Sequence, residues 1–311
     1  MDDERRIKKK LIVIYELICL GIVRFKKKIC SIERYLFYQV PIMNAEKTAR
    51  YIKERRCSVS RYGDGEFGLA LGEWETGFQK KDKILQEKLL NALKSENNTL
   101  VCIPHYFSNM FGAKKEVKQI WNGIRCNNNR QIRVVKILRK KNGKKYIYGD
   151  SLISRPYMDM KSPKHASKVF TLLKKIWENE DVLIVEGEQT RLGIGNDLFD
   201  KAKSVRRILA PSMNAFSVYD DLIEVIKKHY HGGLILLALG PTATILAADL
   251  AAKGMWAVDI GHLDVEYEWY LQNAKKKVAL IGKYVNEVVD GCEPQDCKDK
   301  VYLSQIADRV N

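Results

Sequence analysis

Residues 234–244 read Leu-Ile-Leu-Leu-Ala-Leu-Gly-Pro-Thr-Ala-Thr, an apolar run that ends abruptly in glycine and proline. A buried strand accounts for the apolar run, and Pro241 suits the first turn of a helix predicted at 242–253. Similar runs predict strands at 182–185, 205–209 and 256–260, with helices at 196–202 and 215–229 between them. Short buried strands that alternate with helices indicate an α/β fold, a mostly parallel sheet with helices on both faces.

The N-terminal half continues this pattern. Helices are predicted at 45–55, where Asn44 is the cap, and at 82–94, 115–124 and 163–177, and strands at 57–62 and 100–103. Asn142-Gly143 between apolar runs predicts a hairpin at 131–148, whose lysines suit either a solvated edge or a membrane or acceptor contact. We therefore expect residues 41–311 to form one domain.

Residues 1–40 differ from the rest. Basic residues at positions 5–28 flank an apolar run at 11–23, whose thirteen residues are too few to span a bilayer as a helix. One alternative is a helix that lies on the anionic inner face of the membrane, and the other is a helix that docks on the core. The pattern slightly favours the helix on the membrane surface. The protein would then be cytoplasmic and bound peripherally to the inner face of the membrane.

The net charge of +16 predicts an anionic partner, such as nucleic acid, acidic lipid or a phosphorylated small molecule. The lysine clusters lie in the N-terminal segment and the predicted hairpin, away from the loops rich in glycine and acidic residues. This separation argues against a nucleic-acid-binding protein, which needs a basic stripe with exposed aromatic residues. The seven cysteines have no paired spacing, so free thiols in a reducing cytosol are expected.

The first predicted strand runs into Arg61-Tyr62-Gly63-Asp64-Gly65-Glu66. On an extended backbone, side chains two positions apart point the same way, so Asp64 and Glu66 are expected to face one point. Two hard carboxylate ligands suit Mg²⁺ or Mn²⁺ bound together with phosphate oxygens. The alternative is an ordinary solvated turn, because Asp-x-Glu is a common pattern.

Polar loops follow the later strands too, and ligands of open α/β sheets bind at such carboxyl ends. Residues 186–197 carry Arg191, Gly193 and a predicted cap at Asn196, which suit either a phosphate site or a glycine-rich connector. Thr242 suits a ligand contact or a plain cap.

Residues 259–269 supply candidate general bases in His262, Asp264 and Glu268. Glu268 is preferred, because the neighbouring Trp269 would shield it and could support a sugar. Asp259 is expected to orient His262.

Taken together and in order, these loops resemble those of the bacterial GT-D fold glycosyltransferases, over about residues 46–270. Each motif is modest, whereas their joint order is quite specific. The matching motifs are Arg61-Tyr62-Gly63-Asp64-Gly65-Glu66, Gly149-Asp150-Ser151, Ser154-Arg155-Pro156-Tyr157, Glu186-Gly187-Glu188, Thr190-Arg191-Leu192-Gly193, Gly195-Asn196-Asp197-Leu198-Phe199, Leu239-Gly240-Pro241-Thr242-Ala243-Thr244, Asp259-Ile260-Gly261-His262-Leu263-Asp264 and Glu266-Tyr267-Glu268-Trp269.

The resemblance implies a Rossmann-like domain that moves a sugar, such as glucose from UDP-glucose, to a glycan acceptor in the synthesis of cell-surface polysaccharides or glycoproteins. It also implies Mn²⁺ or Mg²⁺ at Asp64 and Glu66 and a base at Glu268. A nucleotide-sugar or phosphoester hydrolase with the same metal loop is the alternative enzyme class. The expected donor-binding residues are Arg61, Tyr62, Gly63, Ser154, Arg155, Arg191, Gly193, Asn196 and Thr242.

Overall fold

A computed structural model of the protein describes residues 41–108, 110–126, 147–292, 294 and 296–311, together with Gly21. Its centre is a sheet of eight strands, and every pairing between the described strands is parallel. The strands are β1 (Ser58–Arg61), β2 (Thr99–Ile103), β3 (Gly149–Asp150), β4 (Asp181–Gly187), β5 (Ser204–Ala210), β6 (Leu234–Ala238), β7 (Ala257–Asp259) and β8 (Ile306–Arg309).

The strand order is β3-β2-β1-β7-β6-β4-β5-β8. From β1 the chain moves outward to β2 and β3 on one side, and the remaining strands lie on the other. The order therefore reverses between β1 and β7, and the carboxyl ends of these two strands mark the place where α/β sheets of this kind bind ligands.

Nine α-helices connect and cover the strands in the described part of the chain. They are α1 (Ala45–Arg55), α2 (Asp64–Ala70), α3 (Lys83–Ala92), α4 (Lys115–Cys126), α5 (Pro163–Trp177), α6 (Tyr219–His229), α7 (Pro241–Ala252), α8 (Leu263–Leu271) and α9 (Lys300–Gln305). None of these helices is both long and apolar enough to cross a bilayer.

Alternate residues of the strands enter two separate hydrophobic cores. Leu183 and Val185 of β4 pack with α3, α6 and α7, whereas Val182 and Ile184 pack with α1, α5 and α8. Because successive side chains of a strand point to opposite faces, the continuous apolar runs bury both faces of the sheet. The predicted α/β architecture is confirmed.

One predicted helix is wrong. Residues 196–202 form bends and turns, in which the Asn196 Nδ2 donates to Asp264 and Glu268, its Oδ1 accepts from the Leu198 amide, and the Leu198 carbonyl accepts from the Trp177 indole. The helix predicted at 215–229 begins at Tyr219, after a short 3₁₀ turn. The predicted N-terminal helix and the hairpin, up to residue 146, lie outside the described residues, and the single-domain boundary stays a prediction.

Candidate active site

A cavity of about 590 Å³ lies along the carboxyl edge of the sheet. Seven neighbouring strands each contribute to its lining with a residue at or just after the strand end. These residues are Gly63, Pro104, Ser151, Gly187, Pro211, Leu239 and Gly261, after β1, β2, β3, β4, β5, β6 and β7 respectively. The cavity therefore lies at the carboxyl ends of the strands, where the sequence predicts ligand binding, and it also spans the reversal of strand order.

Arg61 spans the two central strands at the floor of this cavity. Its Nη2 lies 2.8 Å from Oδ1 of the buried Asp259 on β7, and its Nη1 donates to the Ser154 hydroxyl at 2.6 Å. Gly261, at φ 43°, leaves room for the guanidinium, since a Cβ there would lie 1.9 Å from Nη2. Burial raises the pKa of Asp259, and Arg61 opposes that shift. The expected orientation of His262 by Asp259 is wrong, because Asp259 bonds to Arg61 and Thr244 instead.

Asp64 and Glu66 both line the cavity, but the predicted extended geometry is wrong. They are the first and third residues of α2, and Glu66 accepts a 2.7 Å hydrogen bond from the amide of Gly63, the residue before the helix. Burial raises the pKa of Glu66, and this amide opposes the shift. Asp64 is exposed to the cavity.

A second charged group lies at the β3 side of the cavity. Glu287 pairs with both Arg155 and Lys277, and its Oε1 lies 3.6 Å from Nε2 of His262. Burial favours the neutral acid, but Arg155, His262 and Lys277 outweigh it and lower the pKa of Glu287 to about 2. Burial, together with Arg155, lowers the pKa of His262 to about 4, so the imidazole is neutral at pH 7. The His262 Nε2 lies 3.0 Å from Oδ1 of Asn286, which leaves Nδ1 as the acceptor nitrogen.

The other two base candidates lie outside the cavity lining. Lys283 Nζ lies 2.6 Å from Asp264 and 3.1 Å from Glu268, and Asn196 donates to both carboxylates. Gly193 adds a backbone N–H to Asp264 at 2.9 Å. This network fastens the 193–196 turn to α8. Trp269, expected beside a sugar, is buried and donates to the Val278 carbonyl.

Four expected donor contacts also have internal partners and lie outside the lining. Tyr62 is a core residue whose hydroxyl donates to Leu89, and Thr242 is buried against Gln79. Ser154 holds Arg61, and the Arg191 guanidinium donates to the Gly282 carbonyl. Among the expected donor residues, the structure thus brings Arg61, Gly63 and Arg155 to the cavity, together with the metal candidates and His262.

Comparison with known proteins identifies the family. Residues 59–288 match the family model described as glycosyltransferase GT-D fold. The chain belongs to the GT-D fold glycosyltransferase family.

Two curated relatives of this GT-D chain are streptococcal. A probable glycosyl transferase Gly from Streptococcus gordonii is 34% identical over 86% of this chain, and glycosyltransferase GlyD from Streptococcus pneumoniae serotype 4 is 35% identical over 87%. The chain spans only 38% and 33% of the lengths of these two proteins.

Solved structures of GT-D relatives share the fold along almost their whole length. The highly conserved domain of unknown function 1792, which has a distinct glycosyltransferase fold, is 34% identical with a TM-score of 0.81, covering 91% of this chain and all of that one. A new glycosyltransferase of the same domain type from Streptococcus sanguinis is 34% identical with a TM-score of 0.78, covering 88% of this chain and all of that one.

The GT-D cavity can accommodate a metal only as a site shared with a ligand. Across the described ranges, no three His, Cys, Asp or Glu side chains group as a metal centre. Mg²⁺ is commonly bound by one or two carboxylates that are completed by water and phosphate oxygens. Asp64 and Glu66 both line a cavity with room for a phosphate ligand, and because Oε2 of Glu66 is taken by the Gly63 amide, Asp64 and Oε1 of Glu66 are the carboxylate oxygens that would suit such a shared site.

Sequence reasoning missed Lys277, Asn286 and Glu287. They belong to the irregular segment between α8 and α9, where no periodic pattern of apolar residues indicates which side chains face the cavity. Glu287 bonds to Arg155, which lies 132 positions earlier in the chain. The local signal is weak, because Lys277 ends a run of three lysines and Asn286-Glu287 is a polar pair between Val285 and Val288.

Proposed function

We propose that the chain is a metal-dependent glycosyltransferase that moves a hexose, glucose or a similar sugar, from a UDP-sugar to a glycan acceptor in the synthesis of cell-surface polysaccharide or glycoprotein. The observation that carries this proposal is the meeting of Asp64, Glu66 and Arg155 in one cavity at the reversal of strand order. Carboxylates for a cation and a guanidinium for phosphate are together the chemistry that a sugar diphosphate requires.

The cations of the cavity have different parts in this proposal. Arg61 is held in place by Asp259, Ser151 and Ser154, so it shapes the floor beneath the diphosphate. Arg155 and Lys277 lie on the surface of the cavity and share Glu287. A diphosphate would compete with Glu287 for both cations, and bidentate contact with Arg155 would orient it.

Asp64 and Glu66 would hold Mn²⁺ or Mg²⁺. When bound, the metal supplies positive charge opposite the phosphate oxygens of the leaving group. The N-termini of α7 and α8 face the same edge, and their dipoles favour negative charge there.

His262 is the best-placed base for the acceptor hydroxyl, because it alone of the three candidates lines the cavity. Its neutral imidazole would accept the hydroxyl proton while the acceptor oxygen bonds to the anomeric carbon and the sugar–phosphate bond breaks. Glu268 is already committed to Lys283 and Asn196.

A panel of UDP-, GDP- and ADP-sugars, each with and without Mn²⁺, tests the proposal by thermal shift and then by product analysis. A bound donor raises the midpoint of unfolding by mass action, and we expect the largest shift for a UDP-hexose with Mn²⁺. Slow donor hydrolysis without an acceptor separates a transferase from a hydrolase, which would release free sugar at its full rate.

Asp64→Asn is expected to abolish the Mn²⁺-dependent part of the shift. Asp82→Asn is the matched control, since Asp82 also lies at a helix start and is exposed but lies outside the cavity lining. Equal responses in Asp64→Asn, Asp82→Asn and the unchanged chain would contradict a metal at Asp64.

A further inference from the structure

A loop at residues 72–80 forms the side of the cavity next to α2. Side chains that it contributes to the lining include those of Trp74, Glu75, Thr76 and Phe78. The loop follows α2 in the chain, and the Glu73 amide donates to the Gly68 carbonyl at 2.8 Å. The loop therefore lies beside the helix that carries Asp64 and Glu66.

The indole of Trp74 lies about one helical turn from Asp64 along α2. A Cβ on Gly68 would come within 2.1 Å of the Trp74 ring, so the ring rests on the backbone of Gly68. Asp64 and Gly68 are four positions apart in one helix, so they share a face, and side-chain positions related in this way are about 5–6 Å apart. The half-buried ring is thus close to the proposed metal ligand Asp64.

The loop is held in one conformation by its own hydrogen bonds. The Thr76 amide donates to the Gln79 carbonyl at 3.1 Å, and the Gln79 amide donates to the Thr76 hydroxyl at 2.9 Å. Gln79 is buried, and the Phe78 carbonyl accepts from the Asn214 amide at 2.7 Å. A ligand here meets side chains whose positions are already fixed, which reduces the entropy lost on binding.

The outer part of the loop is open to solvent. Glu75 is exposed, and its Oε1 accepts from the Lys81 amide at 3.3 Å. In the part of the chain that the structure describes, nothing lies within 4 Å of the position of a Cβ on Gly77. The loop contributes the Glu75 carboxylate and no cation to the lining, which suits a neutral sugar better than a phosphate. A carboxylate accepts several hydrogen bonds, so Glu75 can also accept from sugar hydroxyls.

We propose that Trp74 and Glu75 form the subsite for the acceptor glycan, in which a neutral sugar ring packs on the indole and its hydroxyl groups donate to the carboxylate. The proposal rests on the proposed function and names residues that select the acceptor. One face of a pyranose carries mainly C–H groups, which pack on an aromatic ring, while the hydroxyl groups at its edge require polar partners. Trp121 also lines the cavity but is less suitable, because it is 8% exposed and packs against Tyr106 and Phe107.

The position of this subsite suits transfer to a growing chain. With the metal and the donor diphosphate at Asp64, a sugar on the Trp74 ring lies about one helical turn, roughly 5 Å, from them. A hydroxyl of that sugar can then approach the anomeric carbon of the donor. The rest of the glycan can leave the cavity past Gly77, where the rim is open.

Methyl glycosides test the subsite while the natural acceptor is unidentified. The probes are the methyl β-glycosides of glucose, galactose and N-acetylglucosamine. The donor site is filled beforehand with Mn²⁺ and the C-glycosidic analogue of UDP-glucose, which cannot transfer its sugar. Dissociation constants are measured by NMR titration of the full chain. We expect at least one glycoside to bind without displacing the analogue.

Substitutions in the loop locate the bound glycoside. Trp74→Ala is expected to weaken it at least about tenfold, and Trp74→Phe to retain most of the affinity, because a ring remains. Glu75→Gln is expected to weaken it about tenfold, since hydrogen bonds to a charged acceptor are the stronger ones. Glu87→Gln is the matched control and should change the affinity less than twofold, because Glu87 is also exposed but lies on α3 outside the cavity lining. Each variant should bind the analogue within twofold of the unchanged chain.

Three results would overturn the acceptor subsite and leave the proposed function in place. They are the absence of any bound glycoside, displacement of the analogue by the glycoside, and unchanged glycoside affinity in Trp74→Ala or in Glu75→Gln. Failure of the unchanged chain to bind any UDP-sugar with Mn²⁺ would instead overturn the proposed function. If Trp74→Ala does not fold, the comparison of Glu75→Gln with Glu87→Gln decides the matter.

Discussion

Arg61 and Asp259 form an ion pair that joins β1 to β7 at the point where the strand order reverses, with Nη2 and Oδ1 2.8 Å apart. The side chain of Asp259 is 3% exposed and that of Arg61 is 15% exposed, so the pair is largely out of water. Removing one partner of such a pair leaves the other charge buried and uncompensated, which lowers the free energy of unfolding. The pair therefore holds together the two strands from which the cavity floor is built.

Arg61→Ala is expected to lower the free energy of unfolding by about 3–5 kcal/mol, because the Asp259 carboxylate loses its main compensating charge. Urea unfolding at neutral pH measures this loss. Lys203→Ala is the control, since Lys203 pairs with Asp181 at the surface with its own side chain 67% exposed, and should lose much less stability, because exposed ion pairs contribute little. Similar losses in the two variants would mean that the Arg61 pair is not a buried anchor.

The choice of base predicts opposite effects of two substitutions. His262→Ala is expected to lower the rate of sugar transfer by roughly 10²–10⁴-fold, which is the usual contribution of a general base. Glu268→Gln should keep that rate within about tenfold and lower stability, because Glu268 serves the Lys283 and Asn196 network. Initial rates of transfer and urea unfolding of both variants would check this. A large loss of turnover in Glu268→Gln with normal stability would return the base role to Glu268.

The sheet was predictable because its strands are apolar on both faces. A short continuous apolar run such as 182–185 is typical of a strand that is buried on both sides. The helix at 45–55 was predictable because Asn44 accepts from the Lys47 amide, which is a purely local interaction. In both cases the physical cause lies within a few residues of its effect.

The errors came from competition between local and distant partners. Glu66 accepts from the Gly63 amide three positions earlier, and the stretch interpreted as extended starts a helix at Asp64. Asn196 does accept locally, since its Oδ1 takes the Leu198 amide at 3.0 Å, but its Nδ2 donates to Asp264 and Glu268 of α8, about 70 positions away, and no helix follows. The partner of Arg155 could not be predicted for the same reason, because only the tertiary fold brings Glu287 next to it.

The Glu287 carboxylate predicts how the cavity responds to anions. Glu287→Gln removes a negative charge from between Arg155 and Lys277, so affinity for inorganic pyrophosphate is expected to rise about 3–10-fold at low salt. Calorimetric titration measures the change, which should shrink as salt is added. Glu224→Gln, which alters the net charge equally at an exposed pair with Lys227, should have no effect on this affinity. Unchanged or weaker binding in Glu287→Gln would show that neither cation is released for the anion.

Glu266 predicts a pH dependence of stability. Its side chain is buried, Oε2 accepts from the amides of Tyr157 and Met158, and burial raises its pKa from 4.5 to about 7. Since the folded state binds the proton more tightly, the stability gained from the protonated carboxyl is complete below about pH 4.5 and is lost as the pH rises through 7. Glu266→Gln keeps an acceptor oxygen for the two amides without ionising, so its stability relative to the unchanged chain should grow by roughly 1–3 kcal/mol between about pH 5 and pH 8.5. Urea unfolding of the two chains across this pH range measures the difference in their free energies of unfolding, and Glu54→Gln, at an exposed position, is the control. A difference that stays constant with pH would mean that Glu266 does not titrate between about pH 5 and pH 8.5.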